Sequence, residues 1–237
     1  MAPALPEDPR EIWVTANPPE DSARAHKHRL VRHTKRAIEN LALCDLSDAS
    51  PELIDKLVEF EERMGDLADD LGALPSLRAK GGPAAAGGDD AALLERSGIS
   101  GRSNPIAAPL HMWVEGDVTR GRAMYTAVYE GPPGCLHGGF VAAAFDDLLG
   151  FAQIASGMAG YTGTLTVRMV RPTPLYQVIE YAASLDRVEG RKIYVTGRSW
   201  CGEDLLAECE ILFIRPRAGD PVTDQIRKMA EGGSTSA

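Results

Sequence analysis

The second half of the chain alternates apolar and polar residues in short runs, the two-residue repeat of half-buried β-strands. Six such runs are found, at 110–117, 121–129, 162–171, 175–187, 191–201 and 204–215. The stretch from Phe140 to Ser156 differs, because it is too long for one strand, rich in Ala and Leu, and apolar on almost every side. That pattern predicts a buried helix. The simplest packing is an α+β fold in which an antiparallel sheet curls around this helix, with turns at Gly190 and Gly202.

Two further helices are predicted in the first third of the chain, at about 21–43 and 51–71. Pro51 directly after Ser50 fits the first position of a helix that follows a capping residue. The second helix carries apolar residues spaced alternately four and three apart: Leu53, Leu57, Phe60, Met64, Leu67 and Leu71. Such a seam along one helix face must be covered by a partner.

These two predicted helices carry opposite charges. The first has six Lys or Arg residues and one Glu, whereas the second has eight acidic and two basic residues. The opposite signs favour pairing of the two as a helical hairpin. The alternative is that both charged faces are solvated and never meet.

The domain organisation follows from a stretch of small residues at 79–92, AKGGPAAAGGDDAA, which has the composition of a linker. We therefore predict a helical extension at 1–78, a linker at 79–97, a globular domain at 98–216 and a C-terminal tail at 217–237.

Composition and charge narrow the class of protein. The formal net charge is −9 and the sequence pI is about 5.1, which argues against general nucleic-acid binding. The four cysteines have neither CxxC nor zinc-ligand spacing, and no GxGxxG, P-loop or HExxH motif occurs. The N-terminus lacks the pattern of a signal peptide, and no run approaches the roughly 18 apolar residues that span a bilayer. We expect a cytoplasmic protein that needs neither metal nor cofactor.

Two acids, Asp146 and Asp147, interrupt the apolar helix in its middle. A carboxylate inside an apolar element is costly unless it is paired or functional. Neighbouring helical residues point about 100° apart, so we expect the two acids to have different roles. The alternative is a pair of acids on a partly exposed stripe.

The tripeptide His137-Gly138-Gly139 leads directly into this helix. Glycines at a helix start let a ligand approach the backbone closely, and the free amides and the helix dipole favour negative charge there. A developing oxyanion would be stabilised at such a position. For His137 alone, a turn residue without a chemical role is the alternative.

The pattern H-G-G-x6-D that opens the helix resembles that of hotdog-fold thioesterases of the phenylacetate-degradation type. The stretches RPTPL at 171–175 and LDRVEGRK at 185–192 resemble the THEM group of acyl-CoA thioesterases. The resemblance covers about residues 98–216 and implies a hotdog fold that hydrolyses acyl-CoA thioesters, as in fatty acid metabolism. Two alternatives stay open: an enoyl-thioester hydratase or dehydratase on the same fold, and a non-catalytic acyl-CoA binding module.

The resemblance also implies a role for each matching residue. Asp146 takes the position of the catalytic carboxylate, as general base or nucleophile. His137 and Gly138 match the family's His-Gly, and the amide of Gly138 or Gly139 would donate to the oxyanion. Thr162 falls where the THEM group has a threonine that assists the carboxylate, although strict alternation places it opposite the apolar face of its strand.

Distance along the helix predicts a homodimer. Gly139 and Asp146 are seven residues apart, about 10 Å of helix, whereas two groups acting on one carbonyl span only roughly 6 Å. The two halves of each site should therefore come from different copies, in a homodimer or in a tetramer formed from two such dimers. A basic turn of Arg187, Arg191 and Lys192 would meet the CoA phosphates, with a solvated charged turn as the alternative.

Overall fold

The structure, a computed structural model, describes residues 19–74, 96–158 and 160–217. Within these ranges the helices are α1 (Ala23–Leu43), α2 (Pro51–Ala73) and α3 (Gly138–Ala155), with a 3-10 helix at Ala127–Tyr129. The strands are β1 (Leu110–Glu115), β2 (Val118–Ala123), β3 (Tyr161–Met169), β4 (Ile179–Glu189), β5 (Lys192–Cys201) and β6 (Asp204–Ile214). The predicted linker sequence at 79–92 and nearly all of the predicted tail lie outside the described residues.

The six strands form one antiparallel sheet in the order β1-β2-β4-β5-β6-β3. The predicted order of two strands, one helix and four strands is confirmed, as are turns at Gly190 and Gly202, whose φ angles are +60° and +59°. The prediction of a strand through residue 129 is wrong. Strand β2 stops at Ala123 because Ala123 pairs with Leu110 and Ile179, the first residues of both neighbouring strands, and nothing remains to pair with.

Helix α3 packs on one face of the sheet and supplies the centre of the core. Phe145, Leu148 and Leu149 are fully buried, and strand glycines let the helix come close. A Cβ atom at Gly197 would lie 2.6 Å from Leu149 Cδ1. The helix is nevertheless not buried all round as predicted, because its opposite face, which includes Asp146, is only half-buried. Helix α3 is long and apolar enough to cross a membrane by length and composition alone. The core helix of a soluble protein meets the same two criteria, so this is weak evidence for a membrane span.

The two N-terminal helices begin as predicted but do not pack as a hairpin. Ser50 caps α2 by accepting a hydrogen bond from the Leu53 amide at 3.3 Å. Helix α1 instead packs on the 3-10 helix, burying Ala25, His28, Val31 and Lys35, whereas α2 has no buried residue. Exposed ion pairs contribute at most about 1 kcal/mol each, so opposite charge alone does not hold two helices together. The seam of α2 is consequently exposed.

Candidate active site

His137 caps the start of α3, and its side chain determines which of the first backbone amides of the helix is already hydrogen-bonded. Its Nδ1 atom accepts a hydrogen bond from the Gly139 amide at 3.0 Å. In this contact Nδ1 carries no hydrogen, because a nitrogen that accepts cannot also donate, so the ring N–H is at Nε2. The Gly139 amide is thereby occupied, whereas the Gly138 amide has no acceptor among the described residues. Of the two glycines, Gly138 has the amide that is open to a ligand.

The loop before His137 is held by backbone contacts that the sequence interpretation missed. The His137 amide donates to the Tyr129 carbonyl at 2.9 Å, and the Leu136 amide donates to the Thr173 carbonyl at 2.8 Å. Gly131 lies against the loop, where a Cβ atom would be 2.7 Å from His137 Cα. The only available signal was the run Gly131-Pro132-Pro133-Gly134, which is typical of a constrained turn.

Asp146 and Thr162 are brought together by the fold. Thr162 Oγ1 donates to Asp146 Oδ1 at 2.9 Å, joining the middle of α3 to the start of β3. Strict alternation fails because a register shift between Thr162 and Thr164 leaves Gly163 as an extra residue. Thr162 then pairs with the buried Phe213, and its side chain shares the helix-facing side of β3.

Asp147 lies beside Asp146 but has different surroundings. It accepts hydrogen bonds from Ser97 Oγ at 3.1 Å and from Ser100 Oγ, and Ser100 is fully buried. Burial raises the pKa of Asp147, against the opposing effect of the two serine hydroxyls. Asp147 thus anchors the segment before β1 onto α3, and the expectation that the two acids have different roles is supported by their contacts.

Cys209 is a candidate nucleophile on β6 near Asp146. Burial raises the pKa of its thiol to about 12, and the charges of Asp146 and Glu210 add to this effect. A thiol with this pKa is protonated at neutral pH, and the protonated form is a poor nucleophile. The raised pKa of Cys209 therefore argues against a role for this thiol as nucleophile.

The basic residues of the predicted CoA contact separate into two groups. Arg187 is engaged with acids of its own turn, Asp186 at 2.5 Å and Glu189 at 2.9 Å. Arg191 instead lines a recess of about 410 Å³ together with Arg215 and Arg217. This basic recess also contains Tyr161 and Ile214, so it adjoins the start of β3. Lys192 begins β5 next to it.

One chain keeps the two halves of the site apart. Asp146 contacts Thr162 at the start of β3, whereas Gly138 lies near Met169 at the end of the same strand, where a Cβ atom would be 3.0 Å from the Met169 methyl. The two contact points are thus at opposite ends of a nine-residue strand.

The antiparallel sheet packed on a central helix, with a carboxylate within that helix and glycines at its start, is the arrangement expected from the resemblance to hotdog-fold thioesterases. Comparison with known proteins agrees with this class. The chain is 34% identical over 96 residues to acyl-coenzyme A thioesterase THEM4 of Mus musculus, covering 40% of this chain and 41% of that protein. It is 38% identical over 88 residues to THEM4 of Bos taurus, covering 36% of each. The matches thus span less than half of these curated relatives.

A solved structure extends the likeness to most of the chain. A crystal structure of a thioesterase superfamily protein is 26% identical with a TM-score of 0.67, and the match covers 86% of this chain and 96% of that one. No protein-family model matches the chain. The resemblance to hotdog-fold thioesterases is confirmed, and so is the α+β fold with a helical extension.

Proposed function

We propose that this protein hydrolyses acyl-CoA thioesters to the free acid and CoA. The observation that carries the proposal is the hydrogen bond from Thr162 to Asp146, a carboxylate oriented on the half-buried face of the central helix. The names of the THEM4 relatives support the substrate class. Water supplies the second reactant, so the acyl–sulfur bond breaks, an acyl–oxygen bond forms, and the sulfur leaves with a proton.

The Thr162–Asp146 pair is suited to hold the attacking water. An ionised carboxylate only accepts hydrogen bonds, so the Thr162 hydroxyl must donate to Asp146. The lone pairs of Thr162 Oγ1 then accept a hydrogen from water, while the second oxygen of Asp146 accepts the other. Asp146 acts as general base in this arrangement, and direct attack by the same oxygen is the covalent variant of the step.

The Gly138 amide is the proposed oxyanion donor. It lies at the N-terminus of an 18-residue helix, where the helix dipole adds positive potential. His137 keeps the Gly139 amide engaged at 3.0 Å and presents its own Nε2 hydrogen as a further donor. Donors fixed before the reaction stabilise charge that appears only in the transition state.

Two copies of the chain would complete each site. Strand β3 is a sheet edge, and its nine residues are largely exposed, which is a template for pairing with another strand. Antiparallel pairing of β3 with its copy around a two-fold axis sets the start of one strand beside the end of the other. Asp146 and Thr162 of one copy then lie next to Met169 and Gly138 of the partner copy.

The CoA phosphates would bind at the basic recess. Arg191, Arg215 and Arg217 line it, with Lys192 adjacent, and arginine forks match phosphate oxygens. Arg191 Nε also donates to the Arg215 carbonyl at 2.9 Å. Arg187 contributes less than expected from the sequence because Asp186 and Glu189 already neutralise it. Since the recess adjoins Tyr161, the phosphates would extend from the Asp146 end of the site.

The first experiment measures thiol release from a panel of acyl-CoA substrates of different length and aromaticity. We expect turnover with at least one substrate by the full chain. Acyl-CoA binding without thiol release would instead indicate a binding module, and water addition to an enoyl-CoA would indicate a hydratase.

A second experiment removes one hydrogen atom from the oxyanion donor. Gly138→Pro deletes the amide hydrogen at the first helical position, where proline is tolerated, and His137 has the extended ψ of 133° that a residue before proline requires. Gly138→Ala adds a Cβ but keeps the amide, so it is the matched control. Relative to Gly138→Ala, which carries any cost of the added Cβ, we expect kcat to fall about 100-fold in Gly138→Pro.

Mixing two inactive variants tests the shared site. Gly138→Pro and Asp146→Asn chains, unfolded and refolded together, would form mixed dimers with one intact site and one doubly altered site. Recovery of activity is expected only if each site uses Gly138 of one copy and Asp146 of the other. Mixed dimers without recovered activity would place both groups in the same copy.

A further inference from the structure

We propose that α1 is a positioning element of the active site, acting through Lys35 and Tyr129 on the His137 loop. This inference rests on the proposed thioesterase site and adds a role for the helical extension.

The first observation is a buried ammonium group. Lys35 is 5% exposed, and its Nζ donates to the Ala107 carbonyl at 2.8 Å. A buried charge is costly unless it is hydrogen-bonded, and lysines on a predominantly basic helix would otherwise extend into water. Helix α1 is therefore fixed to one defined point of the globular domain, 72 residues further along the chain.

The same carbonyl also binds the element that carries the His137 loop. Tyr129 Oη donates to the Ala107 carbonyl at 3.1 Å, so Lys35 and Tyr129 share one acceptor. The 3-10 helix that contains Tyr129 packs against α1. A displacement of α1 would thus be transmitted directly to Tyr129.

Tyr129 in turn holds the start of α3 in two ways. Its carbonyl accepts the His137 amide at 2.9 Å, and its ring packs edge-on against Phe140 with centroids 5.0 Å apart. His137 directly precedes Gly138 in the chain, and Phe140 is the second residue after it. A continuous set of contacts therefore runs from Lys35 through Ala107 and Tyr129 to the oxyanion donor.

The test replaces the ammonium group and keeps the aliphatic stem. Lys35→Met in the full chain should lower kcat about tenfold with KM within twofold, since a small displacement of a catalytic group costs rate rather than binding. Lys27→Met is the matched control, because Lys27 is exposed on the same helix, and it should leave both constants unchanged. Tyr129→Phe removes the other donor to the shared carbonyl and should lower kcat in the same direction.

A readout independent of turnover is the NMR spectrum of the His137 ring. Lys35→Met or Tyr129→Phe should shift the His137 resonances, and Lys27→Met should not. A variant with a lower Tm but unchanged kcat and unchanged His137 resonances would overturn the proposal and leave Lys35 a purely stabilising role. If the wild-type chain releases no thiol, the proposed function fails, whereas the His137 resonances still decide whether α1 positions this loop.

Discussion

The two flanks of α3 differ sharply although they are defined by consecutive residues. Asp146 lies on the half-buried flank and accepts a hydrogen bond from Thr162, which is on the edge strand β3. Asp147 lies on the flank covered by residues 97–100 and accepts hydrogen bonds from two serines. The same type of side chain thus accepts one hydrogen bond on a half-buried face at position 146, whereas at position 147 it anchors a neighbouring segment.

This difference shows how one helix can give two neighbouring carboxylates different surroundings. A rotation of about 100° per residue is enough to turn Asp146 toward Thr162 and Asp147 toward residues 97–100. Activity and folding should therefore respond to different acids, and variants of the two flanks can be compared pairwise.

The largest expected effect is on turnover when the acids are exchanged for amides. Asp146→Asn should lower kcat by about 100-fold or more, because general base catalysis contributes 10²–10⁴-fold, while Tm stays near the wild-type value. Asp147→Asn should keep most of the activity. Thiol release and thermal unfolding measured on both variants decide the assignment, and an active Asp146→Asn enzyme would refute it.

The second effect isolates the hydroxyl that orients Asp146. Thr162→Val should lower kcat about tenfold or more, since a hydrogen bond to a charged group contributes about 1.5–3 kcal/mol. Thr164→Val is the matched control, because Thr164 pairs with Leu212 on the opposite face of β3. Equal losses in the two variants would mean that the strand itself is disturbed and that the Thr162 hydroxyl has no specific role.

Thr162 also shows where prediction from sequence ends. The order of strands and the position of α3 follow from local periodicity, which each segment carries by itself. The bulge at Gly163 does not, because the pairing register with β6 decides which face Thr162 occupies. Which of the Gly138 and Gly139 amides is open to a ligand likewise depends on a side-chain rotamer, because the His137 ring is oriented toward the Gly139 amide.

Tertiary partners were the least predictable feature. The apolar seam of α2 was visible in the spacing of its residues, but spacing does not say what covers a seam, and opposite charge on α1 was a poor guide. Lys35 gave no sequence signal, since it resembles the other basic residues of its helix and differs only in pointing at Ala107. Gly131 could have been noticed from its turn, although its contact with His137 could not.

The third effect falls on stability. Asp147→Ala leaves the fully buried Ser100 hydroxyl without its acceptor, so the free energy of unfolding should fall by about 1–3 kcal/mol. Asp146→Ala leaves the exposed Thr162 hydroxyl without its acceptor, but water can reach it, so the loss should be smaller. Denaturant unfolding of both variants measures the difference, and a more stable Asp147→Ala chain would contradict the anchoring role.

The smallest effect is a pH dependence of stability that belongs to Asp147. Burial raises the pKa of this acid above its ordinary value of 3.8, so the folded state keeps a proton that the unfolded state has already lost. Stability therefore falls as pH rises from about 3.8 to the raised pKa, with a slope of at most about 1.4 kcal/mol per pH unit. Asp147→Asn lacks this proton, so the stability of the wild-type chain relative to the variant should decline across the same window and then level off.

The direction of this change in stability with pH shows which of two opposing effects on the pKa of Asp147 is larger. Burial raises the pKa of Asp147, whereas the hydroxyls of Ser97 and Ser100 lower it. High salt should leave the decline in place, because desolvation of a buried group is little affected by screening. A wild-type chain that instead gains stability relative to Asp147→Asn as pH rises would mean that the serine hydrogen bonds outweigh burial. The pKa of Asp147 would then lie below its ordinary value.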